Sequence, residues 1–269
     1  MKGIIGAIAG DVIGSAYEFN PTRDYDFELF TPQSTFTDDT VLTMANAQWL
    51  LEDDTHNPER LVAIMLDLCR KYPSRGYGGR FARWIHDEYP QPYNSFGNGS
   101  AMRVSPVGYY AQTLDEALAL ARISAEVTHN HPEGVKGAQA TAAAIFMARK
   151  GSGKQEIRDY VEHTFGYNLS RPLDEIRPTY TFDETCQRTV PEALTCYLEG
   201  KDYEDVVRLA VSLAADADTL AAIAGSVASA VSEVPSKIAQ PVIALLNEEF
   251  CGMLLNFNDL VAHREQESL

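Results

Sequence analysis

The chain has 269 residues, 45% of them hydrophobic, which is enough for one large core and points to a single domain over 1–269. Its formal charge of −16 argues against nucleic acid or an anionic membrane as partner, because affinity for either rests on Lys and Arg neutralising phosphates. The cysteines Cys69, Cys186, Cys196 and Cys251 form no C-x-x-C pair, so neither a zinc knuckle nor a disulfide framework is indicated, and a reducing, cytoplasmic setting is expected.

The N-terminal stretch MKGIIGAIAGDVIGSAYEF begins like a secretory leader, but Asp11 breaks the apolar run where a leader's core would continue. No later segment approaches the ~18 uninterrupted apolar residues of a membrane span. Apolar recurrence at three and four residues predicts helices over 40–51, 58–71, 114–127, 133–149, 155–164, 188–199, 203–213, 219–231 and 237–250. Clean alternation with hairpin turns is missing, so a compact all-α domain is expected. Boundary residues agree: Pro132 and Glu133 open one helix, and Lys150-Gly151 closes it. Small residues recur every four positions at Gly6, Gly10 and Gly14 and at Ala221, Gly225 and Ser229, a pattern that lets helix axes approach closely. Glycine inside a helix costs ~1 kcal/mol relative to alanine, so close packing must offset it and these helices should be central.

The loops NPTRDYDFELFTPQST, YPSRGYGGR, YPQPYNSFGNGS and GYNLSRPLDEIRPTYTFDET are long for a compact domain, and loops of such length are often functional. Just after the first stands Thr37-Asp38-Asp39-Thr40 at a helix start. Capping by Thr37 and the helix dipole account for it when it is taken alone. A second acidic cluster, Asp216, Asp218 and Thr219, also begins a helix, and residues two apart reach a common target only from the turn entering it. The two clusters offer carboxylates and threonine hydroxyls with no histidine or cysteine, an all-oxygen set suited to Mg²⁺, Mn²⁺ or Ca²⁺ and poorly suited to zinc or copper. If they meet, their charge calls for about two divalent ions.

Three further features could carry chemistry. In NSFGNGSAMRVSP the glycines and Asn98 allow backbone conformations whose N–H groups converge on a phosphate, although a tight turn explains the same letters. Glu18, at the end of the first helical segment, has the position of a general acid or base as well as that of a solvated carboxylate. His129 and His131 form an H-x-H before a Pro-initiated helix, where capping competes with metal ligation.

In order, GAIAGDVIGSAYEF, FTDDT, SFGNGSAMRVSPVG, THNHPEGVKGAQATAAAIF and AVSLAADADTLAAIAGS resemble the ADP-ribosylglycohydrolase family, the ADP-ribosyl-acceptor hydrolases that include the dinitrogenase-reductase-activating glycohydrolase. The resemblance implies a compact orthogonal helical bundle with a binuclear magnesium cleft that cleaves the bond at ribose C1″ and releases ADP-ribose from an ADP-ribosylated protein or small molecule. Carried over by residue, Thr37, Asp38, Asp39, Asp216, Asp218 and Thr219 match the metal ligands, and Glu18 matches a glutamate that binds metal and assists catalysis. Asp38 and Asp39 join Glu18 as catalytic carboxylates. Ser95, Phe96, Gly97, Asn98 and Gly99, with Ser100 beyond, match the diphosphate and ribose loop, and His129 matches a ligand-contacting histidine.

The chain departs from the pattern at Ala214-Ala215, where many members carry Gly-Gly. If positive φ is needed there, each methyl group strains the turn by ~1 kcal/mol or more and can displace Asp216. Two other readings follow: a catalytically silent ADP-ribose binder, and a two-metal phosphohydrolase that cuts the diphosphate itself.

Overall fold

A computed structural model describes residues 1–267. In chain order the helices are α1 (Ile5–Gly14), α2 (Asp38–Glu52), α3 (Pro58–Lys71), α4 (Gly79–Ile85), α5 (Gly99–Met102), α6 (Ser105–Tyr110), α7 (Leu114–Glu126) and α8 (Pro132–Arg149). They continue as α9 (Lys154–Phe165), α10 (Leu173–Ile176), α11 (Cys186–Glu199), α12 (Tyr203–Val211), α13 (Ala217–Val231), α14 (Ser236–Leu245) and α15 (Glu248–Glu267). The all-α expectation holds: the described residues contain no strand, only an isolated antiparallel bridge between Gly97 and Thr185. No helix among them is long and apolar enough to cross a membrane.

The helix starts follow their capping residues. Thr37 accepts from the Asp39 amide, Asn57 accepts from the Glu59 and Arg60 amides ahead of Pro58, and His131 Nδ1 accepts from the Glu133 amide at 3.1 Å. His131 is therefore a cap. The periodic pattern misses the short helices α4, α5, α6 and α10 and most of α15, and it runs two helices together near the C-terminus. The apolar stretch predicted as a helix over 237–250 is cut at Leu246, whose backbone is extended, and Asn247 Oδ1 caps the next helix by accepting from the Phe250 amide at 2.9 Å. Apolar recurrence does not register a single extended residue, although Asn247 followed by Glu248 and Glu249 is the capping signal that marks the break.

The glycine stripe explains the centre of the fold. Every residue of α1 is buried, and α1 lies against α13 so closely that a Cβ at Gly6 would fall 2.6 Å from the Gly225 carbonyl oxygen. At Gly10 it would meet the Ala221 carbonyl oxygen at 2.1 Å, and at Gly14 the Asp218 Cα at 2.4 Å. Backbone occupies that space, so only glycine fits. The contact at Gly14 has a functional consequence: it pins the first turn of α13, with Asp218, beside the turn that leads from α1 to Glu18.

Candidate metal and ligand site

Two helix N-termini deliver the acidic clusters to one cavity. In α2, Thr37 is the N-cap and Asp38 and Asp39 open the first turn; in α13, Asp216 is the N-cap and Asp218 stands in the first turn. Asp216 and Asp218 thus occupy the entering turn, the arrangement that lets residues two apart share a target. Thr219 Oγ1 lies 3.3 Å from Asp39 Oδ2, which joins the clusters directly. Glu18 comes from the turn beyond α1, four residues past Gly14 rather than at the helix end, and offers an oxygen within 4.8 Å of oxygens of Asp216 and Asp218.

A residue that the sequence reading passed over holds this assembly in place. Asp11, fully buried in α1, accepts the Thr37 amide at 3.0 Å, the Thr37 hydroxyl at 2.8 Å, the Thr40 amide at 3.1 Å and the Thr40 hydroxyl. A buried carboxylate without such donors would be costly, so the four contacts both keep Asp11 in the core and fix the start of α2. Because the Thr37 hydroxyl hydrogen goes to Asp11 while its oxygen accepts from Asp39, that oxygen retains one free lone pair.

The electrostatics are those of crowded, desolvated acids. Burial is the largest cause of the rise in Asp11 and Asp216, both to about 6. Burial, then the neighbouring Asp218, holds Asp38 and Asp39 well above the usual carboxylate range. Asp218 is raised by burial, then by Asp216, with which it shares a hydrogen bond. Glu18 rises to about 8 through burial and then Asp218. Helix dipoles favour anions here by about 0.3–1 kcal/mol each, too little to offset such crowding. Asp39 Oδ1 is buried with no hydrogen-bond partner. An all-oxygen cluster with an orphaned buried carboxylate oxygen fits a hard divalent cation.

The cavity, about 230 Å³, is lined by Glu18, Asp38, Asp39, Asp216, Asp218 and Thr219 on its acidic side. Arg80, Tyr93, Ser95, Gly97, Asn98, Gly99, Arg103 and His129 are among the residues that line the rest, with Glu184 adding a further carboxylate. The loop borders the cavity, but its backbone does not take the form expected of it. Positive φ occurs at Asn94 rather than at Gly97 or Gly99, and the Gly97 and Asn98 amides are used by Ser95 Oγ at 3.2 Å and the Glu184 carbonyl at 2.7 Å. The glycines instead leave room beside His129, since a Cβ at Gly99 would lie 3.2 Å from its Nε2. Asn98 acts through its side chain, donating to Asp216 Oδ2 at 2.6 Å and Thr189 Oγ1 at 3.0 Å.

Three of the expected site residues do not line the cavity. Phe96 is exposed with its ring edge on His131, Ser100 is buried and donates to the Gly134 carbonyl at 2.7 Å, and Thr37 faces Asp11.

The sequence profile of the ADP-ribosylglycohydrolase family matches residues 1–266. The chain belongs to that family. Membership makes it a hydrolase of the ADP-ribosyl glycohydrolase class. Among its relatives, ADP-ribosylhydrolase ARH3 of Homo sapiens is 25% identical, over 84% of this chain and 83% of that protein. ADP-ribosylarginine hydrolase Tri1 of Pseudomonas putida is 30% identical, over 84% of this chain and 68% of its own. A solved structure titled ADP-ribosylglycohydrolase-related protein complex shares the fold, with a TM-score of 0.73 at 24% identity over 96% of both chains.

Within the ADP-ribosylglycohydrolase fold, the departure at Ala214-Ala215 resolves into one strained residue. Ala214 has φ 57°, in the left-handed region, whereas Ala215 is not among the positive-φ residues. Asn98 holds Asp216 in place just downstream. Ala214→Gly is therefore expected to raise stability by about 1 kcal/mol, read from the denaturant midpoint, with little change at the site.

Proposed function

We propose that this chain hydrolyses the bond at ribose C1″ of an ADP-ribosylated protein or small molecule and releases ADP-ribose, with two Mg²⁺ ions, or Mn²⁺ in their place, held by Glu18, Thr37, Asp38, Asp39, Asp216, Asp218 and Thr219. The observation that carries the reading is the convergence of two acidic helix starts on one cavity, with Asp39 Oδ1 buried and unpartnered. When bound, the cations supply positive charge and Lewis acidity for the ribose hydroxyls and the diphosphate.

The chain's own groups do the rest. Asp11 orients Thr37, and Asn98 orients Asp216, so the donors are preorganised. Ser95, Gly97, Gly99 and His129 border the space for the diphosphate and ribose. As the C1″ bond lengthens the sugar gains oxocarbenium character, which Asp38 and Asp39 favour through their charge. Glu18, half-buried at the rim, exchanges a proton with the departing acceptor or the entering water.

Glu18→Gln is accordingly expected to slow hydrolysis at least about tenfold while ADP-ribose binding, followed by calorimetry, stays within about threefold. Product identity tests the reading itself. Incubation with a panel of ADP-ribosylated acceptors, ADP-ribosylarginine included, should release intact ADP-ribose. AMP plus ribose phosphate would mark a phosphohydrolase, and binding without release a silent member.

A further inference from the structure

In the wall of the same cavity, a buried chain of hydrogen bonds ends on His129. Arg103, Ser124 and Thr128 are each fully buried. Arg103 Nη2 donates to the Ser124 carbonyl at 2.6 Å and to Thr128 Oγ1 at 2.9 Å, which uses both of its hydrogens. A guanidinium cannot accept, so Thr128 Oγ1 is the acceptor in that contact. Its own hydrogen is then left for its other partner, His129 Nδ1, at 2.7 Å.

We propose that Arg103 and Thr128 are positioning residues that fix His129 as the Nε2–H tautomer, presenting a hydrogen-bond donor to a ligand oxygen beside Gly97 and Gly99. Were Nδ1 protonated, two donors would face the Thr128 oxygen and the hydroxyl hydrogen would lose its only acceptor inside the core. The ring is also held neutral: burial, then the charges of Arg103 and Arg80, keeps His129 well below its ordinary range. Nε2 points at the glycine loop, 3.5 Å and 3.2 Å from where Cβ atoms on Gly97 and Gly99 would stand. A neutral donor suits an ether, hydroxyl or phosphate oxygen, and it keeps a second cation away from the metal-binding side.

The identity of the ligand rests on the proposed function; the tautomer does not. The test is ¹⁵N NMR of the full-length chain, with the His129 ring assigned by its loss in His129→Gln, alongside calorimetry with ADP-ribose. The wild type should carry its proton on Nε2 at neutral pH. Thr128→Val, which keeps the shape and removes the hydroxyl, should shift the ring toward the Nδ1–H form and weaken ADP-ribose binding about tenfold, and Thr128→Ser should restore both. A proton on Nδ1 in the wild type, or an unchanged tautomer in Thr128→Val, overturns the proposal. Failure of ADP-ribose to bind the wild type would count against the proposed function, and the NMR result would still decide the tautomer.

Discussion

Asp218→Ala is expected to cost at least about 100-fold in turnover and to abolish stabilisation by magnesium, while the protein remains folded. Asp218 is the hub of the cluster: it neighbours Asp216 and Glu18, and its charge is the leading electrostatic influence on Glu18, Asp38 and Asp39. Its removal takes away a donor that no nearby side chain can replace. It also removes repulsion, so the cation-free variant should melt no lower than the cation-free wild type. That combination, lost activity with undiminished cation-free stability, separates a missing ligand from a damaged fold. Asp38→Ala should behave alike, because Asp38 lines the same cavity, so its truncation enlarges an existing space rather than opening a new void in the core.

The second expected result concerns pH. In the cation-free protein Asp11 and Asp216 are raised to about 6 and Glu18 to about 8, above their ordinary values of 3.8 and 4.5. A raised carboxylate means that the folded chain holds more protons than the unfolded one, so stability falls as pH rises from about 4 through about 8. The loss should be on the order of a few kcal/mol, taken from the buried pair Asp11 and Asp216 alone. On the proposed function, saturating Mg²⁺ would hold the carboxylates ionised and should remove or reverse the slope, since binding then competes with protons. Urea denaturation at several pH values, in chelator and in magnesium, measures it. A cation-free stability that rises between pH 5 and pH 8 would contradict the crowding that the structure describes.

Much of this site was legible before the fold was known, for reasons that can be named. Paired acids at two helix starts, with no lysine among them, are hard to explain by capping twice over, and the small-residue stripes of α1 and α13 marked those two helices as central. Which helices pair was not readable from any local pattern, and neither was the link between α1 and α2. That link is Asp11, which in the sequence reads only as an interruption of an apolar run; its significance lies in donors 26 and 29 residues away.

The loop at Ser95–Gly99 was read for backbone freedom, whereas the structure uses the Asn98 amide and the space left by missing Cβ atoms. Those are properties of what faces the loop, and the sequence of the loop does not contain them. The Ala214-Ala215 departure was readable as strain, but only coordinates could assign it to Ala214 alone. Thr128 and Arg103 gave no advance sign, because a buried threonine and a buried arginine become informative only when their partners are known.

The most direct test of the central claim is a crystal structure of the full chain grown in Mn²⁺, with anomalous scattering collected at the manganese edge. Strong peaks bounded by Asp38, Asp39, Asp216, Asp218 and Thr219 are the predicted result. Full Mn²⁺ occupancy elsewhere, with that pocket lacking any peak, would contradict it.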